Sequence, residues 1–295
     1  MKQVIEIVRL KIRASRFLAQ ISNLLLLKWP SRTFWTWEVY GLGHSLKDVL
    51  GIAQRKTIRT GSDHGLTFVV DPLALEVAIP TEIHVTWSKW RTSLEFPDSR
   101  QILRIQHPWI AFRKKHDISL SKSASGTLVF VPHSVPGLVL PFDLVEYIKF
   151  LSSLPQEFHP LVFCLHVHDM ERKIVRDIHR QGFSVVTVGN NLHPRYVRRF
   201  YGILKNFKYA TSPDVGSQLF YCHEFGVKYF LYDMESKFQR NSQIELTRLI
   251  HEEIIERIEK AFGLENLTDP SLEKDTLVND ALGLDLVTLN FIDQC

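Results

Sequence analysis

The sequence predicts an α/β protein built on a parallel, doubly wound sheet. From residue 127 onward, short β-rich apolar runs alternate with helix-like stretches, which is the pattern that such a sheet requires. These runs are continuously apolar, as expected of strands that are buried on both faces. The small, polar and non-periodic segment Ser119–Gly126 precedes them. It predicts a linker between two domains.

The second domain is predicted to contain five strands separated by helices. The strands are Thr127–Val131, Leu161–Leu165, Ser184–Val188, Lys208–Ala210 and Val227–Tyr232. The intervening helices are Phe142–Leu154, Met170–Gln181, Arg195–Asn206 and Pro213–Phe225. A long helix with charges on one side, Ile244–Phe262, is predicted to close the domain.

The chain ahead of the linker shows weaker alternation. Its predicted strands are Phe34–Val39, Thr57–Arg59, Glu82–Trp87 and Gln101–Gln106, and a helix is predicted to begin near Ser45. The run Trp87–Arg91 is interpreted as core aromatic with a solvated charged edge, with the floor of a sugar pocket as the alternative. The predicted organisation is therefore an N-terminal helix over 1–30, an α/β domain over 31–120, a Rossmann-like domain over 126–262 and an acidic tail over 263–295.

Composition favours an ordinary globular protein and narrows its class. The chain has 295 residues, of which 45% are hydrophobic and 23% are charged, and its net charge is +4. This mild charge, without an RNA- or DNA-binding motif, argues against a nucleic-acid partner. Three scattered cysteines without a CxxC pair predict neither a zinc site nor a disulfide framework. The expected location is the cytoplasm.

The first thirty residues are basic and amphipathic. The segment contains six lysines and arginines but only one acidic residue, Glu6, and its apolar residues recur at close to helical spacing. The apolar run Leu24–Leu27 is shorter than the roughly 20 residues that span a bilayer. Two interpretations stay open. Residues 1–28 form either a helix packed on the domain or a helix lying on an anionic membrane surface.

Polar residues follow four of the predicted strands, at the sheet edge where ligands bind in such folds. In strand order they are His133 and Ser134; His166, His168 and Asp169; Gly189, Asn190 and His193; and Thr211, Ser212, Gly216 and Ser217. The last group forms a hydroxyl-rich turn that leads into a helix, a typical anion site, with an ordinary helix cap as the alternative. Histidines, hydroxyls and a helix N-terminus together predict a phosphate or diphosphate ligand.

The first domain offers two further candidate motifs. Gly43 and His44 lie between a predicted strand and a helix, a weak phosphate-loop pattern. Asp63-His64-Gly65 places an acid and an imidazole beside a glycine, which suits a general base, with a solvated turn as the alternative. The chain has neither a G-x-S-x-G elbow nor a GxxxxGK[ST] loop. Because it also has no D-x-D pair, no metal and no cofactor are predicted, and His166, His168 and Asp169 remain the alternative metal ligands.

These motifs resemble those of a known enzyme group. Asp63–Gly65, the segments 126–134 and 189–191, and above all Thr211-Ser-Pro-Asp-Val-Gly-Ser-Gln-Leu-Phe-Tyr221 resemble bacterial surface-polysaccharide glycosyltransferases of the GT-B fold. Within that group the resemblance is to sialyltransferase-like and Kdo-transferase-like enzymes, over roughly residues 38–235. It implies two Rossmann-like domains with a cleft between them, with the donor on the second domain and the acceptor on the first, near Gly43 and His44.

The resemblance also implies residue roles. Asp63 would be the base, with His64 orienting the acceptor, while His193-Pro194 and Thr211-Ser212 would contact the donor phosphate. The chain departs from the acidic motif in having histidine at its middle position. The expected function is transfer of a sugar, with a CMP-linked sugar as one candidate, from a nucleotide-sugar donor to a glycan or glycolipid acceptor. A non-catalytic nucleotide-sugar-binding module is the alternative, and an epimerase or phosphotransferase is a third hypothesis.

Overall fold

The computed structural model describes residues 8, 10–19, 21, 35–66, 71–91, 94–131, 144–170, 173–231, 252–269 and 272–286. Over this part of the chain the protein is α/β, with one three-stranded and one five-stranded sheet. Every strand pairing in both sheets is parallel. The predicted fold class is confirmed at this level.

The three-stranded unit carries its strands in chain order. They are β1 (Gly61–Ser62), β2 (Ile83–Thr86) and β3 (Gln101–Arg104), and β2 is the central strand. The helices of this unit are α1 (Trp35–Glu38), α2 (Leu42–Leu50), α3 (Ala74–Val77) and α4 (Pro108–Lys115).

The five-stranded unit has the order β6-β5-β4-β7-β8. Its strands are β4 (Thr127–Phe130), β5 (Leu161–Cys164), β6 (Ser184–Val186), β7 (Tyr209–Ser212) and β8 (Lys228–Leu231). Its helices are α5 (Leu144–Ser152), α6 (Lys173–Arg180), α7 (Tyr196–Leu204) and α8 (Ser217–Glu224). The five predicted strands are confirmed. The chain moves outward to one side from β4 and then returns to β7 on the other side, so the topological switch point lies between β4 and β7.

Burial on both faces explains why the strands of this sheet are continuously apolar. Leu128 and Val129 are consecutive in β4, yet each is almost fully buried. Leu128 packs in the core that includes Trp109 and Ala210, whereas Val129 packs in the core that includes Tyr147. Successive side chains of a strand point to opposite faces, so one strand contributes to two cores.

Two predictions in the three-stranded unit are wrong. Residues 35–38 form the helical turn α1 instead of a strand, although their alternating tryptophans have the spacing of a strand. The indole of Trp37 is buried and donates a hydrogen bond to the carbonyl of Thr60 (2.8 Å), a tertiary contact that overrides the local pattern. The strand expected at Thr57–Arg59 is instead the two-residue β1 at Gly61–Ser62.

The described part of the C-terminal segment packs against both units. It contains α9 (Glu252–Ala261) and α10 (Leu272–Leu282), and the α10 side chains Leu277 and Ala281 are fully buried. The carbonyl of Leu282 accepts a hydrogen bond from the backbone N–H of His107 (2.9 Å). Nζ of Lys89 lies 2.8 Å from a carboxylate oxygen of Asp285. This segment therefore returns to the three-stranded unit after the five-stranded sheet is complete.

The N-terminal helical segment, residues 10–19, packs on the five-stranded unit with one side only. Leu10 is 4% exposed and lies in the core beside β4, and the carbonyl of Arg13 accepts a hydrogen bond from the N–H of Asn190 (2.9 Å). The other side carries exposed apolar side chains, among them Ile12 and Phe17. Among the residues that the structure describes, no helix has the length and apolar character needed to cross a membrane.

Candidate functional site

A cavity of about 400 Å³ lies between the two sheets, at the carboxyl ends of their strands. It is bounded by the loop after β1 and by the loops after β4, β5, β6 and β7, so it includes the switch point of the five-stranded sheet. The described residues that line it are Tyr40, Leu42, His64, Gly65, Trp109, Phe130, Val131, Cys164, Leu165, His166, Thr187, Val188, Gly189, Tyr196, Phe200, Asp214, Val215, Gly216, Ser217, Gln218 and Tyr221. This is the position where open α/β sheets bind ligands.

Aromatic side chains from both units form much of the wall. The ring of Trp109 lies 4.6 Å from that of Tyr221 and 5.0 Å from that of Phe200, measured between ring centres. Tyr40 packs edge-on against Tyr196 at 5.6 Å. Its backbone has φ of 54°, a left-handed conformation that is unusual for a bulky residue. The surrounding structure therefore holds the Tyr40 ring at the cavity against a local backbone preference.

The N-terminus of α8 faces this cavity. Gly216, Ser217 and Gln218 all line it, and within the described residues no side chain caps the helix. The hydroxyl of Ser217 instead accepts a hydrogen bond from the N–H of Leu66 (3.3 Å), which joins the two units. The first N–H groups of a helix have no partner within the helix. Here they provide a site that suits a phosphate group.

Two predicted contacts of the same turn lie elsewhere. Thr211 and Ser212 are buried in β7 and do not line the cavity. The Ser212 hydroxyl donates to the carbonyl of Asp214 and accepts a hydrogen bond from the hydroxyl of Tyr229 (2.7 Å). The prediction that these two hydroxyls contact a ligand is therefore corrected, because the Ser212 hydroxyl is hydrogen-bonded within the protein and the Thr211 hydroxyl lies 3.4 Å from that of Tyr147, outside the cavity lining.

His64 opens onto the cavity from the loop after β1. Its ring centre lies 5.5 Å from that of Tyr40, and Gly65, which also lines the cavity, follows it. Burial lowers the pKa of the His64 imidazole below its usual 6.5. The imidazole is thus mainly neutral at pH 7, the form that accepts a proton in general base catalysis.

Asp63, the predicted base, points away from the cavity and is fully buried. One carboxylate oxygen is 3.0 Å from Nε2 of His84, and the other accepts a hydrogen bond from the hydroxyl of Thr86 (2.6 Å). Arg91 also donates to Asp63. Burial alone would raise the pKa of Asp63, but Arg91, His84 and Thr86 outweigh burial and lower it. The assignment of Asp63 as base is corrected, because this carboxylate is ionised, accepts hydrogen bonds from three side chains and does not line the cavity.

Arg91 belongs to a buried ion-pair network and has no solvated edge. It is fully buried, and its Nη2 lies 2.8 Å from a carboxylate oxygen of Glu76. Asp63, Glu76 and His84 place ligand-type atoms close enough together for a metal ion. The guanidinium of Arg91 donates to both carboxylates, so a protein cation already contacts both acids of this cluster.

The loop after β6 contributes Thr187, Val188 and Gly189 to the cavity, whereas Asn190 and His193, which follow, turn inward. Asn190 accepts a hydrogen bond from the N–H of Leu192 (2.9 Å) through its side-chain oxygen, and His193 is 6% exposed. Nδ1 of His193 accepts from the N–H of Arg195 (3.0 Å). Burial, helped by Arg199, Arg195 and His44, lowers the pKa of His193 to about 4. Asn190 and His193 therefore shape this loop from behind the cavity wall.

The other predicted residues fall outside the cavity wall or outside the described part. Gly43 lets α2 approach α1, since a Cβ at this position would lie 2.9 Å from the carbonyl oxygen of Trp37. Nδ1 of His44 lies 2.9 Å from the side-chain oxygen of Gln54. Neither residue lines the cavity, so their predicted acceptor-side role is corrected. His133 and Ser134 lie outside the described residues.

The sequence prediction missed two residues of the cavity wall that carry chemistry. Asp214 lies in the turn before α8, its side chain is open to the cavity, and desolvation by the surrounding protein raises its pKa to about 6. Tyr40, which directly precedes the Gly-x-Gly-His motif, also lines the cavity and was not predicted to be a site residue. Cys164 also lines the cavity, but burial raises the pKa of its thiol to about 12. It is therefore a poor nucleophile, because the thiolate is the reactive form.

Comparison with known proteins adds no family to this geometry. No protein-family model matches the chain, and no curated protein matches it.

Proposed function

We propose that the protein is a metal-independent glycosyltransferase that binds a nucleotide-sugar donor in the cavity between its two sheets. One observation carries the proposal: the cavity lies at the switch point, with the N-terminus of α8 on one wall and the His64 imidazole on the opposite unit. The two parallel sheets on either side of the cavity also support a GT-B-like arrangement.

The donor is oriented by the chemistry of the wall. Its phosphate lies at the N-terminus of α8, where backbone N–H groups and the helix dipole favour negative charge. The nucleoside and sugar lie against the aromatic side chains, which offer flat apolar surface; Trp109 and Tyr221 are examples. A CMP-linked sugar is one donor of suitable size.

The reaction then follows from these positions. The neutral His64 imidazole removes the proton from an acceptor hydroxyl, whose oxygen forms the new bond to the anomeric carbon of the sugar. The bond from that carbon to the donor phosphate breaks, and its electron pair leaves with the phosphate oxygen. The N–H groups of α8 stabilise the charge that develops there, a role that needs no metal ion.

A non-catalytic nucleotide-sugar-binding module is the second candidate. The observation that favours it is the position of Asp63, which is the acid of the predicted motif and is withdrawn into the ion-pair network. In this alternative His64 would contact the ligand without removing a proton, and the donor would remain intact.

The N-terminal segment supports a location at the inner surface of a membrane. Val8, Ile12 and Phe17 are between 50% and 68% exposed, and Lys11, Arg13 and Arg16 lie beside them on the exposed surface. Exposed apolar side chains with basic neighbours suit the interface of an anionic bilayer. A glycolipid acceptor would then be presented close to the protein.

A binding screen followed by a hydrolysis assay tests the proposed function. Thermal unfolding would be measured with CMP, UDP, GDP and their sugars, since a ligand at 100 times its Kd adds about 2.7 kcal/mol of stability. We expect one nucleotide series to stabilise the protein, and its sugar to be hydrolysed slowly in EDTA without acceptor. Binding without hydrolysis or transfer would favour the module. No binding by any series would reject both candidates.

A further inference from the structure

A cluster of basic side chains lies behind the part of the cavity wall that Gly189 forms, where the N-terminal helical segment meets the loop after β6. We name it the rim cluster, and it consists of Arg13, His193, Arg195 and Arg199. A Cβ on Gly189 would lie 2.9 Å from Nη1 of Arg199 and 2.8 Å from the carbonyl oxygen of Arg13. Gly189 lines the cavity and has φ of 100°. Glycine at this position thus lets the Arg199 side chain approach the cavity wall from behind.

The charges of the rim cluster are alike. Burial lowers the pKa of Arg199, and the positive charges of Arg13 and Arg195 lower it further. Nη1 of Arg199 is buried and has no hydrogen-bond acceptor among the described residues. Nη1 of Arg13 is 3.4 Å from the carbonyl of Thr187, which also lines the cavity. Several described arginines outside this cluster instead face carboxylates, as Arg113 faces Glu224.

The position of the ring proton of His193 also indicates that an acceptor is missing from the rim cluster. Its Nδ1 accepts a hydrogen bond from the backbone N–H of Arg195, so the proton of the neutral ring is on Nε2. Nε2 lies 3.0 Å from Nη2 of Arg199, and a guanidinium only donates. The Nε2–H group of His193 and an N–H group of Arg199 therefore face each other, although both are donors. The His193 side chain is only 6% exposed, so water does not readily separate them. An oxygen with two lone pairs would satisfy both.

We propose that the rim cluster is an oxyanion subsite that binds a phosphoryl group of the acceptor substrate. Arginine and phosphate form strong, charge-assisted hydrogen bonds, and a dianion balances the excess positive charge. The subsite follows β6, whereas the N-terminus of α8 follows β7, and the sheet order places these strands three spacings apart. At ~4.8 Å per spacing this is about 14 Å, too far for one phosphate group to contact both.

This inference rests on the proposed function only in naming the acceptor as the molecule that carries the phosphoryl group. The donor phosphate occupies the α8 site, so the rim cluster selects a second, phosphorylated substrate. The same cluster includes Arg13 of the segment whose outer side is exposed and apolar. A phosphorylated glycan carrier held at a membrane surface is the acceptor class that matches both features.

Binding of inorganic phosphate to the full chain tests the subsite. It would be followed by phosphorus NMR at fixed ionic strength, in the wild type and in Arg199→Gln, with Arg198→Gln as the matched control. Arg198 is the adjacent, exposed residue of α7 and lies over the ring of Phe112. We expect Arg199→Gln to weaken phosphate binding by about tenfold or more and Arg198→Gln to leave it unchanged. Arg13→Gln should also weaken it, which provides a second variant if Arg199→Gln does not fold.

The outcome is separable from that of the proposed function. Phosphate that binds through Arg199 without competing with a nucleotide supports the subsite, even if no nucleotide sugar is turned over. Equal phosphate affinity in Arg199→Gln, Arg13→Gln and Arg198→Gln overturns it, even if nucleotide sugars bind. Phosphate that is displaced by nucleotide and lost in Gly216→Val would assign the anion to the α8 site and also overturn the inference.

Discussion

The buried ion-pair network around Asp63 and the rim cluster have opposite electrostatic organisation. In the Asp63 network, Arg91 donates to Asp63 and Glu76, and His84 and Thr86 complete the hydrogen bonds of Asp63. In the rim cluster, arginines face other basic groups, and His193 presents a donor to a donor. The first cluster pairs its cation with two carboxylates, whereas the second contains no carboxylate.

This difference separates a structural role from a binding role. A buried charge is costly unless it is paired, so the ion pairs of the Asp63 network are expected to stabilise the loop that carries His64. A cluster of like charges is expected to contribute little to stability and to bind an oxyanion instead. Sequence position alone does not reveal this difference, because each cluster joins residues that lie far apart in the chain.

The largest expected change in folding stability follows from a substitution in the Asp63 network. Arg91→Met should lower the free energy of unfolding by about 3–5 kcal/mol, since it leaves two buried carboxylates without their cation. Urea unfolding measures this change. Arg180→Met is the control, because the Arg180 side chain is 69% exposed, and a change within about 0.5 kcal/mol is expected there. Equal effects of the two substitutions would contradict the structural role of the network.

Asp63→Asn should destabilise by about 2 kcal/mol at neutral pH, because it removes hydrogen bonds to a charged group. The pKa of Asp63 is lowered in the folded state, so its contribution is present above the unfolded pKa of about 3.9 and is lost as pH falls below it. The difference between wild type and Asp63→Asn should therefore shrink between pH 5 and pH 3. A difference that stays constant would show that the ionised carboxylate is not the source.

The N-terminal segment extends the comparison to a surface with one packed and one exposed side. Phe17→Ser, at a side chain that is 68% exposed, should reduce binding to anionic vesicles about tenfold and change folding stability little. Sedimentation with vesicles measures the binding. Neutral vesicles and high salt are the controls, because screening weakens the basic contribution. Wild-type protein that does not bind anionic vesicles would leave only the packed interpretation of this segment.

The smallest effect distinguishes two serines of one turn. Ser217→Ala should weaken nucleotide binding by about 1 kcal/mol, because Ser217 lines the cavity and bonds to Leu66 at its edge. Ser212→Ala should leave nucleotide affinity unchanged, since the Ser212 hydroxyl is bonded to Tyr229 behind the wall. Calorimetry on both variants makes the comparison. The reverse result would place the ligand on the β7 side of the turn.

The sheet that organises the cavity was predictable from the sequence, and the pairing of its side chains was not. Continuous apolar strands such as Thr127–Phe130 reflect burial on both faces, a local pattern that the sequence carries directly. The carboxyl ends of parallel strands lie at one edge of a sheet, so the loops that follow them meet there. On this basis the sequence correctly predicted that Gly189, Gly216 and Ser217 lie at one cavity. The direction of each side chain within those loops depends on tertiary contacts. Thr211 and Ser212 turn inward for this reason.

Tertiary contacts also explain why His64, and not the predicted Asp63, faces the cavity. Adjacent residues of an extended loop point in different directions, so only one of the two can face the cleft. Which one it is depends on Arg91, which lies 28 residues away in the chain and was interpreted as a solvated edge. Likewise, Arg13 and Arg199 lie far apart in sequence, and only the packing of the N-terminal segment on the loop after β6 brings them together.

Turnover in His64→Asn tests the central claim, that the cavity is catalytic and His64 is its base. Donor hydrolysis and transfer would be measured with the wild type, His64→Asn and Asp63→Asn at a temperature at which all three are folded. We expect His64→Asn to lose about 10²–10⁴-fold in turnover with near-normal donor affinity, and Asp63→Asn to lose much less. Near-normal turnover in His64→Asn, or a loss confined to Asp63→Asn, would contradict the account.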